Sequence, residues 1–292
     1  MAGSTPASAT PEAFDGATIR APWIPLGIFA LFVFLAIFAD WIAPYAPNAT
    51  SLSKRMLPPA WMQGGDWSYA LGTDRLGRDN LSRIILGARV SIVSGVVAVG
   101  IAAFVGTVLG LISGYLGRWI DALIMRTADA MLSFPLILIA LLFAVTLGPS
   151  FTNLIIVLAL VMWARFARLV RGETLAWKER DFVALAQIAG CSPLRILSRH
   201  IFPNVLNALV VLATLQIGWV IIVEASLSFL GAGVPPPNPS WGGLIADGRN
   251  YVSTAWWLSF FPGLAIVMLV MSVNLIGDWL RDVLDPKIRD VR

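Results

Sequence analysis

Residues 181–203 read DFVALAQIAGCSPLRILSRHIFP, a polar and basic segment set between two long apolar runs. The spacing predicts a short first helix with Phe182, Leu185 and Ile188 on one side and Val183, Ala184 and Ala186 completing its body. Gly190 ends that helix, because glycine enters the left-handed conformation without a Cβ penalty. Ser192-Pro193 restarts a helix, with serine as N-cap and proline in the first turn. Leu194, Leu197 and Ile201 are expected to share one face of it, while Arg195, Arg199 and His200 bring charge and polarity. Pro203 is expected to close it. A capped helix–turn–helix in a loop of an apolar chain is expected to be a docking surface, and its candidate residues are Phe182, Val183, Ala184, Leu185, Ala186, Gly190, Leu194, Arg199, His200 and Pro203.

The flanking sequence fixes the solvent. The chain has 292 residues, 58% hydrophobic and 13% charged, with mean hydropathy +0.78, whereas soluble domains carry about 25% charged residues. It is therefore integral to a membrane. Long uncharged stretches at Ala21–Ala39, Val90–Tyr115, Ala130–Ala164, Ile201–Val223 and Tyr251–Gly277 meet the roughly 20 residues a span needs. They predict an all-α protein with six transmembrane helices, near residues 22–42, 88–115, 121–147, 152–171, 205–230 and 256–279. Arg165 interrupts the fourth near its expected inner end. Residues 1–20, rich in Ala, Ser, Thr and Pro, are expected to be a disordered cytoplasmic N-terminus. The apolar run after them is too long for a signal h-region and is read as a retained helix, 21–43. An extracytoplasmic loop, 44–87, then leads to a five-helix core, 88–280, whose inner loop is 172–204, followed by a cytoplasmic tail, 281–292.

Orientation follows the distribution of Lys and Arg near the spans. With both termini inside, the inner side receives Arg20, Arg118, the basic residues of 165–199 and the tail. The outer side receives Lys54, Arg55, Arg75, Arg78, Arg83 and Arg249. The net charge of +4 is explained by this bias, and nucleic-acid binding is not needed. A single cysteine, Cys191, excludes an intrachain disulfide and a multi-cysteine metal site.

Several residues inside the spans invite two readings each. Gly106, Gly110 and Gly114, four apart, let a second helix approach closely, either within the chain or at a subunit interface. Arg126 and Asp129, three apart, are placed to pair, as a structural rim pair or as part of a moving joint. Pro135 implies a kink. Glu224, near the outer end of the fifth span, is either a buried, partnered carboxylate or part of a gate. The loop GAGVPPPNPSWGG (231–243) reads as stiff and non-helical, with Pro235, Pro236 and Pro237 fixing φ, Trp241 as an apolar anchor and Gly242-Gly243 as a turn. It either docks a soluble partner or caps a pore mouth.

No GxxxxGK[ST] phosphate loop, HExxH pair, His/Cys cluster or GxSxG elbow is present. No catalytic or metal-ligating residues are assigned, so any ATP-driven movement of solute would need an ATPase on another polypeptide. A secondary transporter and a membrane enzyme are the competing readings. The first needs ionisable groups mid-membrane for ion coupling, and the second needs a catalytic cluster.

LGTDRLGRDNLSR (71–83), DALIMRTADAMLSFP (121–135), EASLSFLGAGVPPPNPSWGGLIADGRNY (224–251) and GDWLRDVLDPK (277–287) resemble the signatures of permeases in the dipeptide/oligopeptide/nickel ABC importer family. They occur in the same order, and the chain looks like that family's second, six-helix permease type. Segment 181–203 is similar to its cytoplasmic coupling loop. The family's Glu-Ala-Ala falls on Ala184, Leu185 and Ala186 and its glycine on Gly190, so the Glu and the first Ala are absent here. The resemblance implies a type I ABC importer permease fold with a cytoplasmic coupling helix, in a bacterial or archaeal cytoplasmic membrane. It also implies a homologous second permease, two ATPase subunits that bind ATP and Mg, and an extracytoplasmic substrate-binding protein. The chain itself would hold no cofactor. The substrate would be a peptide or a related solute such as a nickel chelate, a sugar or an opine.

Overall fold

A computed structural model describes residues 21–284 of the chain; the N-terminal twenty residues and the tail residues Lys287, Arg289 and Arg292 lie outside it. Among the described residues the regular structure is helical. Four helical segments are long and apolar enough to span a membrane: Asn80–Leu116, Phe151–Lys178, Pro193–Phe229 and Trp257–Leu284. A fifth passes that test only as a bent pair, and a sixth, Trp23–Ile37, is shorter. Among the described residues the structure thus has four spanning helices, or five with the bent pair, rather than the expected six, and the expected first span is a shorter apolar helix.

The short helix, α1 (Trp23–Ile37), continues after a break at Phe38 as α2 (Ala39–Ile42). Next comes α3 (Asn80–Leu116), which begins well before the expected residue 88 because Asp79 caps it. The Asp79 carboxylate accepts from the Ser82 backbone N–H at 2.8 Å and from its hydroxyl at 2.5 Å, satisfying donors a helix start leaves open. The third expected span is divided into α4 (Arg118–Ser133) and α5 (Leu136–Leu147), bent by 84°. Pro135 explains the break: it forces Phe134 into extended backbone (φ −90°, ψ 136°) by clash with its ring.

Helix α6 (Phe151–Lys178) is longer than expected. Its polar second half stays helical as it leaves the apolar region, so Arg165 falls at its middle. Short α7 (Asp181–Ile188) and α8 (Pro193–Arg195) follow, then a π-helical turn at Ile196–Ile201 that runs directly into α9 (Phe202–Phe229). Pro203 does not close the segment. It sits in the first turn of α9, inside the continuous helical run from Pro193 to Phe229. The chain ends its described part with α10 (Trp241–Gly248) and α11 (Trp257–Leu284).

The glycine row decides the central packing. A Cβ on Gly106 would lie 2.5 Å from Phe166 Cβ, one on Gly110 2.7 Å from Val170 Cβ, and one on Gly114 2.7 Å from Thr174 Cβ. The row therefore packs α3 against α6 within the chain, with both helices running the same way. Around this pair, Leu158, Met162, Phe166, Val220 and Leu227 form the main core. A second cluster joins Phe32 of α1, Trp241 of α10, and Leu269 and Val273 of α11.

Candidate functional site

Segment 181–203 lies at one end of the bundle. Helix α7 docks by Val183 and Ala186, and the π turn by Ile196 and Ile201; all four are buried with Val170 of α6 and Val205 of α9. Gly190 has φ +76° with open space around its Cα, so its requirement is conformational. Ser192 caps the restart, accepting from Arg195 N at 3.4 Å. The π turn changes the expected face. Ile196 and Ile201, five apart, both point inward, whereas Leu194 is 76% exposed; Leu194 and Ile201 therefore do not share a face, because the wider turn replaces the 3.6-residue period.

What remains outside is an apolar ridge. Leu185 is 65% and Ile188 83% exposed, joined by Leu194 and the half-exposed Phe182. Ala184, Arg199 and Pro203 are exposed beside it, and the His200 ring lies 6.4 Å from that of Phe182. Two of the candidate residues, Val183 and Ala186, thus hold the segment to the bundle, and the others face out from it.

The opposite end has the reverse character. The Asp74 carboxylate accepts from Arg78 Nε and Arg83 Nη1, each at 2.6 Å, and from the backbone N–H groups of Leu76 and Arg78 at 2.8 and 2.9 Å. Asp247 of α10 lies 3.4 Å from Arg78 and 3.5 Å from Arg83. Asp74, Arg78 and Arg83 are all buried. This knot joins two separate motifs, 71–83 and 224–251, and accounts for two of the basic residues, Arg78 and Arg83, expected on the outer side. Sequence reasoning weighed these residues only as loop charge. The Asp74–Arg78 spacing was the visible signal, but the partner at 247 is set by tertiary structure.

Trp241 is fully buried, donating from Nε1 to Ile84 O at 2.8 Å and meeting the Phe32 ring edge-on. It anchors α10 inside the chain. Gly242-Gly243 is not a turn but the first turn of α10, capped by the Ser240 hydroxyl, which accepts from Gly243 N at 3.2 Å. Glycine is needed at 242 because a Cβ would lie 2.0 Å from Ala225 O. Pro235, Pro236 and Pro237 line a cavity of about 370 Å³ with Arg75 and Asp247. Glu224 is buried and partnered, accepting from Ser228 Oγ at 2.8 Å and Ser91 Oγ at 3.2 Å. Arg126 and Asp129 do not pair. Asp129 takes Arg168 of α6 instead, and Asp121 takes Arg171 at 2.6 Å, because α4 lies along α6 and its acids reach across to that helix.

Residues 106–290 match the family described as binding-protein-dependent transport system inner membrane component. The chain belongs to this family. Residues 20–59 match the N-terminal TM domain of oligopeptide transport permease C. The chain is 42% identical over 260 residues, 89% of its length and 86% of the relative's, to the di/tripeptide transport system permease protein DppC of Pseudomonas aeruginosa. It is 43% identical to the dipeptide transport system permease protein DppC of Escherichia coli, covering 88% of this chain and 86% of that one. It is 41% identical to the probable D,D-dipeptide transport system permease protein DdpC of the same organism, covering 89% and 85%. A chain of the MetNI methionine ABC transporter, in an inward-facing conformation, superposes with TM-score 0.50 at 20% identity, over 67% of this chain and 94% of that one. The fold is that of a type I ABC importer permease, and the chain is a membrane transport permease of that family, not a catalytic subunit.

Proposed function

We propose that this permease forms half of a translocation pathway for peptides, paired with a homologous second permease and driven by two ATPase subunits that bind ATP and Mg. The relatives named above are di- and tripeptide permeases, which supports peptides as the substrate class. In this reading the α7 end faces the cytoplasm, as the Lys and Arg distribution supports, with both termini on that side of a bacterial inner membrane. An extracytoplasmic binding protein delivers substrate at the opposite end, over the proline loop and its cavity.

The single observation that carries the reading is the ridge of Leu185, Ile188 and Leu194. Large aliphatic side chains left this exposed on a segment beyond the spans mark an interaction surface, and the buried side of the same segment fastens it to α6 and α9. A push on the ridge is then passed to two spanning helices as a rigid body. That is the mechanical requirement for alternating access driven from below.

Gly190→Pro tests the proposal. Proline cannot take φ +76° and lacks the N–H that Gly190 donates to Gln187 O at 3.0 Å, so α7 and α8 separate. The expected result is membrane insertion at normal levels with loss of substrate-stimulated ATP hydrolysis by the assembled complex. Normal stimulation would refute the coupling role.

A further inference from the structure

Helix α6 carries three arginines at three-residue spacing, and they are not equivalent. Arg171 meets Asp121 and Arg168 meets Asp129. Arg165 has no carboxylate within ion-pair distance among the described residues. It lies fourteen residues beyond Phe151, about 21 Å along the helix. Its neighbour Gln216 lies fourteen residues beyond Phe202 of α9, which runs the opposite way. Arg165 is the first charged residue of α6, at the end of the uncharged run 151–164, and an arginine bordering a span almost always faces a water-filled path or a bundle interior.

Its surroundings prepare it for an anion. The guanidinium carbon stands 4.4 Å from the centre of the Trp219 ring, so one flat face is covered. Gln216 Oε1 lies 3.5 Å from Nη1, at the limit of a hydrogen bond. Gln216 is itself buried, and its Nε2 has no partner. Trp219 and Gln216 together orient the fork and leave its remaining N–H edges open; Arg165 is exposed on the surface of the single chain. A planar fork with open N–H edges is the geometry that binds a carboxylate through two parallel bonds.

A cleft of about 590 Å³ begins one turn away: Leu169, one turn beyond Arg165, and Leu212, one turn before Gln216, both line it, and it continues past Glu173, Asn204 and Asn207 towards Arg281. That volume is in the range that holds a small ligand, with mostly apolar walls and a few polar groups.

We propose that Arg165, oriented by Trp219 and Gln216, receives the free C-terminal carboxylate of the transported peptide where the apolar half of α6 ends, and that the cleft leads it onward to the α7 end. This rests on the peptide-permease reading above and assigns that reading a specificity residue.

The test is equilibrium binding of radiolabelled alanyl-alanine to the assembled permease–ATPase complex in nanodiscs, without binding protein, competed by unlabelled alanyl-alanine or its C-terminal amide. In the native complex the amide should compete at least about ten-fold more weakly, the scale of losing a hydrogen-bonded charge pair. In Arg165→Gln the two competitors should become equal, and Arg165→Lys should keep a preference for the free acid. Equal competition in the native complex, a preference retained in Arg165→Gln, or no binding of either probe would overturn the proposal. So would loss of the second permease from the Arg165→Gln complex, which would mean that Arg165 pairs with an acid of that subunit. ATP-dependent uptake of alanyl-alanine into proteoliposomes with binding protein is read in parallel. Uptake without acid preference sinks only the Arg165 assignment, whereas no uptake sinks the peptide-import reading.

Discussion

The two ends of the molecule carry comparably distinctive motifs and use them in opposite ways. At the α10 end, charged and aromatic residues turn inward: Asp74, Arg78, Arg83 and Trp241 are buried and bonded within the chain. At the α7 end, aliphatic residues turn outward: Leu185, Ile188 and Leu194 have no cover. A motif whose polar groups are satisfied internally builds its own scaffold. A motif that leaves apolar side chains exposed, on a segment held firmly by its other face, fits the interface proposed above. Motif specificity alone does not separate these cases, but burial does.

The comparison breaks most visibly at Asp74. Asp74→Ala leaves Arg78 and Arg83 buried without their main counter-charge, which is expected to cost about 3–5 kcal/mol and to lower the thermal denaturation midpoint of the detergent-solubilised protein sharply. An unchanged midpoint would mean that the knot is ornamental. Gly110→Leu comes next. Its Cβ would lie 2.7 Å from Ala167 O and from Val170 Cβ, so α3 and α6 must part, at about 1–3 kcal/mol or more, read in the same melt. Trp241→Phe removes the bond to Ile84 O but keeps most of the packing, for a loss of about 1 kcal/mol. Asp129→Asn weakens a half-exposed pair with Arg168 and should change the midpoint little, about 0–1 kcal/mol.

Much of this was legible in the sequence. The apolar runs announced the spans, the Gly106–Gly110–Gly114 period announced a close helix contact, and Gly190-x-Ser192-Pro193 announced a turn between two short helices. Each is a local or periodic signal. What was not legible depended on which helix lies beside which. Asp129 finds Arg168 and not Arg126 because α4 runs along α6. Trp241 is buried because Phe32 and Gly87 lie opposite it. The π turn at Ile196–Ile201 shifts the buried face by more than a residue, and nothing in the local composition marks it. Arg165 looked like an interruption near the end of a span until α6 proved to continue to Lys178.

The central claim, that the α7 ridge is the surface on which the ATPases act, is tested most directly by Leu185→Asp. The substitution removes an exposed side chain, so the melting behaviour of the isolated permease should stay as it was, in contrast to Asp74→Ala. In the assembled complex it puts an unpaired charge into a desolvated contact, which costs several kcal/mol. The measurement is co-purification of the ATPase subunits with the tagged permease. The account predicts that they are lost while the second permease is retained; ATPases recovered at native stoichiometry would contradict it.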